Sequence, residues 1–239
     1  MITTNALTSP FATLVDLILP LRCAGCEAGG AALCPLCRNA IEPGGGPPAA
    51  RYHPDCPAPV HAIGDYQGRL RTALLAFKER DRRDVAVPLG EVLADALPRI
   101  PSARPARDGT WWLVPAPSRA AAARRRGGSH LLRLARATAA ALAARGQPAA
   151  VAPALRFASG VRDSVGLDRV ERAANLAGRV RLRDSAAPPV GTPVILLDDV
   201  VTTGATARAC VRELNRAGRP VSTVLALAAA GKGETDFSR

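Results

Sequence analysis

The amino-acid sequence predicts an α/β protein: a doubly wound parallel sheet flanked by helices, with a small cysteine module ahead of it. Three observations carry this. Stretches of strand period and of helix period alternate from residue 60 to residue 228. Val194, Ile195, Leu196 and Leu197 form an unbroken apolar run, as a parallel strand buried on both faces requires. Cys23, Cys26, Cys34 and Cys37 make two Cys-x2-Cys pairs with seven residues between them. At 239 residues there is room for one sizeable domain and an appendage, and no stretch approaches the roughly 20 apolar residues of a membrane span.

The elements follow in chain order. Ser9 and Pro10 cap a short amphipathic helix expected over residues 9–21, with Phe11, Leu14, Val15 and Ile18 on one face. Asp16 interrupts that apolar patch and no basic stretch precedes it, so no secretory signal is expected and the chain is placed in the cytoplasm. In that compartment disulfides are disfavoured. The four cysteines then suit a structural Zn2+ tetrahedron; the alternatives are a redox pair or a module without metal. His53 and Cys56 form a weaker potential pair of ligands. Residues 42–48, rich in Gly and Pro, read as a linker, so the expected division is 1–55 for helix, module and linker, 56–230 for the α/β domain, and 231–239 for a disordered tail.

Within the domain, residues 60–66 are expected as a strand, and 69–78 and 89–97 as helices. Residues 111–115 form an apolar run ending in Pro115-Ala116-Pro117. A helix over 129–145 is capped by Ser129 and stopped by Gly146, with His130 expected exposed in its first turn. Strands follow at 151–157 and 180–183, then the strongest at 193–199. A helix over 205–217 is closed by Gly218, and a last strand spans 221–228. Cys210 is expected as a small buried apolar residue.

Charge is the second signal. The chain carries 32 Lys+Arg against 20 Asp+Glu, a net charge of +12, and Lys78 and Lys232 are its only lysines. Between Gly109 and Arg162 there is no acid but there are nine arginines: 119, 124, 125, 126, 133, 136, 145, 156 and 162. Such a block attracts phosphate, in nucleic acid or in a small polyphosphate. Aromatic residues are only 3%, which leaves few stacking platforms for single-stranded nucleic acid.

The sharpest signal is where the apolar strand ends. Asp198 and Asp199 are followed by Val200 and Val201, then by Thr202, Thr203, Gly204, Ala205 and Thr206 at the start of a helix. Free N–H groups and the dipole at a helix start favour an anion, threonine hydroxyls add donors, and glycine lets the backbone approach closely. A carboxylate pair beside such a pocket suits sugar hydroxyls and, directly or through water, Mg2+.

Residues 194–206 resemble the phosphoribosyl pyrophosphate (PRPP) motif of type I phosphoribosyltransferases. The resemblance implies that Asp198 and Asp199 hold the ribose hydroxyls and that 202–206 cradle the 5′-phosphate. Purine-salvage members carry Asp where Thr202 stands, and threonine is no general base near neutral pH, so a purine-base transferase is disfavoured. Over roughly residues 10–230 the chain is similar to the competence protein F (ComF) family. The paired cysteines, Tyr66-x-Gly68, Phe77-Lys78, Leu113 to Pro117, Arg126-Gly127, Arg172-x2-Asn175, Gly178 and the PRPP motif carry that similarity. It implies that Arg126 and Gly127, beside Arg124 and Arg125, belong to the pyrophosphate loop, and Arg172 and Asn175 to a mobile loop closing over PRPP. Where family members have Phe-Asn-Gln after Arg-Gly, this chain has Gly128-Ser129-His130, and Ser164 replaces a frequent Gln.

The implied function is a PRPP-binding protein, with Mg2+ on the ligand and structural Zn2+, connected with DNA uptake. Single-stranded DNA and competence-machinery proteins are the expected partners. The alternatives are an active phosphoribosyltransferase with an unknown acceptor and a non-catalytic PRPP sensor. A glutamine-dependent amidotransferase is not expected, because only the cysteine module precedes the transferase-like domain.

Overall fold

The computed structural model describes residues 21–41, 46–51, 53, 55–118, 128–158 and 179–230. The chain folds as mixed α/β around a six-stranded, mostly parallel sheet. Helix α1 (Pro35–Ile41) follows the cysteines, and strand β1 (Ala49–Arg51) pairs antiparallel with β2 (Val60–Asp65). Helix α2 (Gly68–Glu79), helix α3 (Ala86–Ala96) and strand β3 (Trp111–Pro115) come next. They are followed by helix α4 (His130–Ala144) and strands β4 (Ala149–Val151), β5 (Leu155–Phe157) and β6 (Val180–Leu182). The chain then runs through β7 (Val194–Val201), helix α5 (Ala205–Arg216) and β8 (Val221–Ala229).

The sheet order is β1-β2-β8-β7-β3-β4, with every pair after β1-β2 parallel. After β3 the chain crosses to β4 on one side, and after β7 it crosses to β8 on the other. The strand order therefore reverses between β3 and β7, and open α/β sheets bind ligands at that point, outside the carboxyl ends of the strands. Val194 to Leu197 and Val224 to Ala228 are fully buried, so the middle of the sheet is covered on both faces, as the unbroken apolar runs require.

Helices α3 and α4 pack together through Gly90. A side-chain carbon built there would lie 2.7 Å from Ala137 Cβ and 2.8 Å from the Ala137 and Thr138 backbone, so only glycine allows this contact. Ser129 caps α4, accepting from Leu132 N–H at 3.3 Å, and Gly146 and Gly218 follow α4 and α5 as expected. Cys210 is fully buried.

Three expectations are corrected. Residues 151–157 do not make one strand: β4 ends at Val151 and joins the main sheet, whereas β5 begins at Leu155 and pairs antiparallel with β6 in a separate ribbon. Pro153, which lacks an N–H, stands at the break. The strongest strand runs past the expected residue 199 to Val201, and β1 adds an antiparallel edge strand where no element was predicted, held by pairing with β2. The helix expected over 9–21 and the tail at 231–239 lie outside the described residues, apart from Leu21. No described helix is long and apolar enough to cross a membrane.

Candidate functional site

β7 carries Asp198 and Asp199 next to the end of β3, where Ala116 N–H donates to Leu197 C=O at 2.8 Å. Both acids are under a tenth exposed. Two buried carboxylates side by side cannot both be easily ionised, and the surroundings separate them. Burial raises Asp199, but the hydrogen bond from His130 and the charge of Lys78 overcome it and hold that carboxyl at about 2. Its Oδ2 receives His130 Nε2 and, at 2.9 Å, Lys78 Nζ, while its Oδ1 accepts Val200 N–H at 2.6 Å. Among the described residues Asp198 accepts one hydrogen bond, from the Asp199 N–H at 2.9 Å on Oδ1. Burial, and then the neighbouring Asp199 charge, push it up to about 7. The surroundings thus favour the charged form of Asp199 and disfavour that of Asp198.

His130 is the largest departure from expectation. It is 5% exposed rather than on the surface, its ring packs T-shaped on Phe77 with centroids 5.8 Å apart, and its Nδ1 is buried with no partner among the described residues. Apolar Leu131 and Leu134 turn this side of α4 into the core and carry the first-turn residue with them. Lys78, in the last turn of α2, points its ammonium at the same carboxylate.

Beyond β7 the backbone bends through Thr202 and Thr203, both exposed, to Gly204, which caps α5 in the left-handed region at φ 68°. No side chain caps this helix, and its first backbone bond runs from Arg208 N–H to Gly204 C=O. The N–H groups of Ala205, Thr206 and Ala207 are left facing outward at the positive end of the helix dipole. The imidazole of His53 lies directly on Gly204. Ser118 and Ser129, bracketing the segment after β3, join hydroxyls at 3.0 Å. Arg126, Gly127, Arg172 and Asn175, with Arg124 and Arg125, lie outside the described residues.

The second centre is the cysteine cluster. The four Sγ atoms of Cys23, Cys26, Cys34 and Cys37 lie within 4.8 Å of one another, and Cys26 and Cys34 are 3.7 Å apart. A zinc–thiolate bond of about 2.3 Å implies sulfurs about 3.8 Å apart in a tetrahedron, so the cluster fits that ion. The surroundings suit thiolate. Gly25 and Cys34 N–H groups point at Cys23 Sγ at 3.4 and 3.3 Å, and Arg69 of α2 reaches Cys37 Sγ at 3.3 Å. Burial raises Cys23, but backbone N–H groups of Cys34, Gly25 and Cys26 outweigh it and bring it to about 6, whereas burial and the neighbouring sulfurs push Cys37 to about 12. A cation among the sulfurs would remove that conflict. The module also rests on the α/β layer through ion pairs from Arg38 to Glu91 and, at 2.7 Å, to Asp95.

No protein-family model matches this chain, and no curated protein matches it either. Solved structures similar to it are phosphoribosyltransferases. The orotate phosphoribosyltransferase of Aeropyrum pernix is 23% identical with a TM-score of 0.33, over 67% of this chain and 66% of that one. The hypoxanthine phosphoribosyl transferase of Trypanosoma cruzi is 17% identical with a TM-score of 0.35, over 67% and 71%. The adenine phosphoribosyltransferase of Thermoanaerobacter pseudethanolicus is 16% identical with a TM-score of 0.33, over 67% and 85%. These scores leave the chemistry to be read from the site itself.

Sequence reasoning singled out Asp198, Asp199 and residues 202–206 as candidates, and the fold places them together at the reversal of strand order. It missed what holds them. His130 stands 69 residues from Asp199 and His53 stands 151 from Gly204, so neither contact leaves a local pattern. The one signal available was Lys78, one of two lysines in an arginine-rich chain.

Proposed function

We propose that this chain binds PRPP, or a closely related 5-phosphoribosyl ligand, at the carboxyl end of β7, as a phosphoribosyltransferase-like protein of the ComF type. The observation that carries the reading is the continuous sequence of an acidic pair near the end of a buried strand, a left-handed glycine and a helix start with no side-chain cap, all at the point where the strand order reverses. The N–H groups of 205–207 and the hydroxyls of Thr202, Thr203 and Thr206 would take the 5′-phosphate. Asp198, whose Oδ2 is not engaged by any described residue, would take a ribose hydroxyl. Asp199, occupied by Lys78 and His130, would orient the pair rather than bind as an equal partner. With one open carboxylate and an ammonium beside it, the site fits Mg2+ only as an ion arriving on the diphosphate. On this reading Arg126 and Gly127 face the diphosphate, and Arg172 and Asn175 belong to a closing loop. The module within residues 1–55, holding Zn2+, would be a structural base for the domain at 56–230.

Catalysis by this site would be transfer of the phosphoribosyl group to an acceptor with release of pyrophosphate. Thr202 supplies no base for it. A non-catalytic PRPP sensor uses the same pocket without the release. The test is calorimetric titration of Mg2+-PRPP into wild type, Asp198→Asn and Asp198→Asn/Asp199→Asn. Binding by wild type that is lost in the double variant supports the pocket; no binding by wild type overturns it. Pyrophosphate release across bases, amines and DNA then separates transferase from sensor.

A role in handling single-stranded DNA rests on the acid-free stretch with nine arginines between residues 109 and 162. It requires salt-sensitive binding of an oligonucleotide that weakens when Arg124, Arg125 and Arg126 become Ala. Binding indifferent to both would remove the DNA and competence part of the reading and leave the PRPP pocket standing.

A further inference from the structure

His53 was read from the sequence only as a weak metal ligand, yet the fold sets its ring on the phosphate loop. A side-chain carbon built on Gly204 would fall 2.8 Å from His53 Nδ1, 3.1 Å from Cγ and 3.3 Å from Cε1. The imidazole therefore fills the space that a side chain would take at the cap of α5. Three ties hold its segment there. Cys56 N–H closes a turn onto His53 C=O at 2.9 Å, Asp55 pairs with Arg208 of α5 at 2.6 Å, and Pro59 C=O accepts from Val224 N–H at 2.8 Å.

The loop it covers has no charge of its own. Residues 202–206 contain no cation, and Arg208, the first cation of α5, is engaged by Asp55. A phosphate dianion placed on that loop would meet N–H groups, hydroxyls and a helix dipole, but no balancing charge from the loop.

We propose that His53 is a ligand residue of the phosphate loop: its imidazole donates an N–H to a phosphomonoester seated on residues 202–206 and gains a proton from solvent as the ester binds. The inference rests on the reading of that loop given under Proposed function. Burial lowers His53 from its ordinary 6.5, so the free protein carries it neutral at pH 7. Asp55 and Cys56 stand on its own segment, where Asp55 pairs with Arg208 of α5 and where Arg208 and Arg212 act on Cys56. Asp55 and Arg208 offset each other, and burial raises the Cys56 thiol, which stays protonated. Burial sets His53 against the charged form until an anion arrives. A dianion within hydrogen-bond reach reverses that balance and favours the imidazolium, whose bond to the phosphate is charge-assisted.

The experiment titrates ribose 5-phosphate into wild type and His53→Gln at pH 7.0, 7.5 and 8.0, in two buffers of different ionisation enthalpy. Above pH 7 the ester is mostly dianionic, its second pKa being about 6, so proton uptake reports the protein. Wild type is expected to take up a fraction of a proton per ester and to bind more tightly as pH falls. The variant is expected to bind about tenfold or more weakly, with no uptake and a flat pH response. A second readout needs no variant. The chain has three histidines, and nitrogen NMR should show His53 titrating at higher pH in the ester complex. His61, buried against Thr223 at 3.0 Å, should not move. Ester binding by wild type without His53-dependent uptake and without a shift in the His53 titration would overturn the role of His53 and leave the loop intact. Absence of ester binding at the millimolar level would overturn both.

Discussion

Replacing Asp198 by Asn should stabilise the protein at neutral pH and leave it nearly unchanged near pH 4. Asp198 is moved from 3.8, its ordinary value, to about 7. A folded-state pKa above the unfolded one gives stability that is complete below pH 3.8 and is lost as pH rises through 7. At 1.36 kcal/mol per unit, the 3.2-unit difference amounts to about 4 kcal/mol by pH 8. Asn mimics the neutral acid: its Oδ1 can still accept the Asp199 N–H that Asp198 holds at 2.9 Å. The variant therefore escapes the loss.

Two other groups titrate nearby with the opposite sign. His53 and His61 are lowered by burial, so their contribution grows as pH rises through about 6 to 7. Both are present in wild type and variant, and they cancel in the difference. Asp199, held at about 2, contributes stability above 3.8 that is lost only toward pH 2, outside the window. The assay is urea unfolding of both proteins from pH 4.5 to 8 with linear extrapolation. The gap should open from about 1 kcal/mol at pH 4.5 to about 4 kcal/mol at pH 8 in favour of the variant. A constant gap across that range would refute the assignment of Asp198 as the proton-carrying member of the pair.

Three further outcomes are expected. His130→Leu should cost about 2–3 kcal/mol in urea unfolding, because it removes a hydrogen bond from a buried carboxylate, and the cost should fall below about 1 kcal/mol in an Asp199→Asn background. Gly90→Val should lower stability by about 2 kcal/mol or more, read as a shifted urea midpoint, since even the first side-chain carbon lies 2.7 Å from Ala137 Cβ. Zinc content measured on purified protein should be about one per chain, and Cys37→Ser or prolonged chelation should remove it and lower the Tm, with Cys210, fully buried and outside the cluster, making no difference as Cys210→Ala.

What the sequence made legible was local. The apolar run ending in Asp198 and Asp199, the threonine-glycine turn and the cap at Ser129 each rest on neighbours within a few positions, and the fold keeps them where their chemistry predicts. The parallel sheet was readable for a similar reason, because Val194 to Leu197 satisfy two buried faces without reference to any other segment. The edge strand β1 was not, since Ala49 to Arg51 have little strand propensity and are ordered by β2.

The site's electrostatics were the least legible part, and the reason is physical. A carboxylate pair looks symmetric in sequence: two acids, one after the other. Their difference comes from α2 and α4, which deliver Lys78 and His130 to one member only, across 121 and 69 residues of chain. A first-turn histidine beside an N-cap looks exposed until Leu131 and Leu134 are seen to turn that face inward. Asp199 then has its countercharges in contact, whereas Asp198 feels Lys78 only at a distance, outweighed by burial and the Asp199 charge. That asymmetry, which on the proposed reading leaves Asp198 open to a ribose hydroxyl, also makes its ionisation costly to the fold at neutral pH. A buried carboxyl with no countercharge in contact loses stability when it ionises, and a ligand that satisfies it recovers that loss on binding.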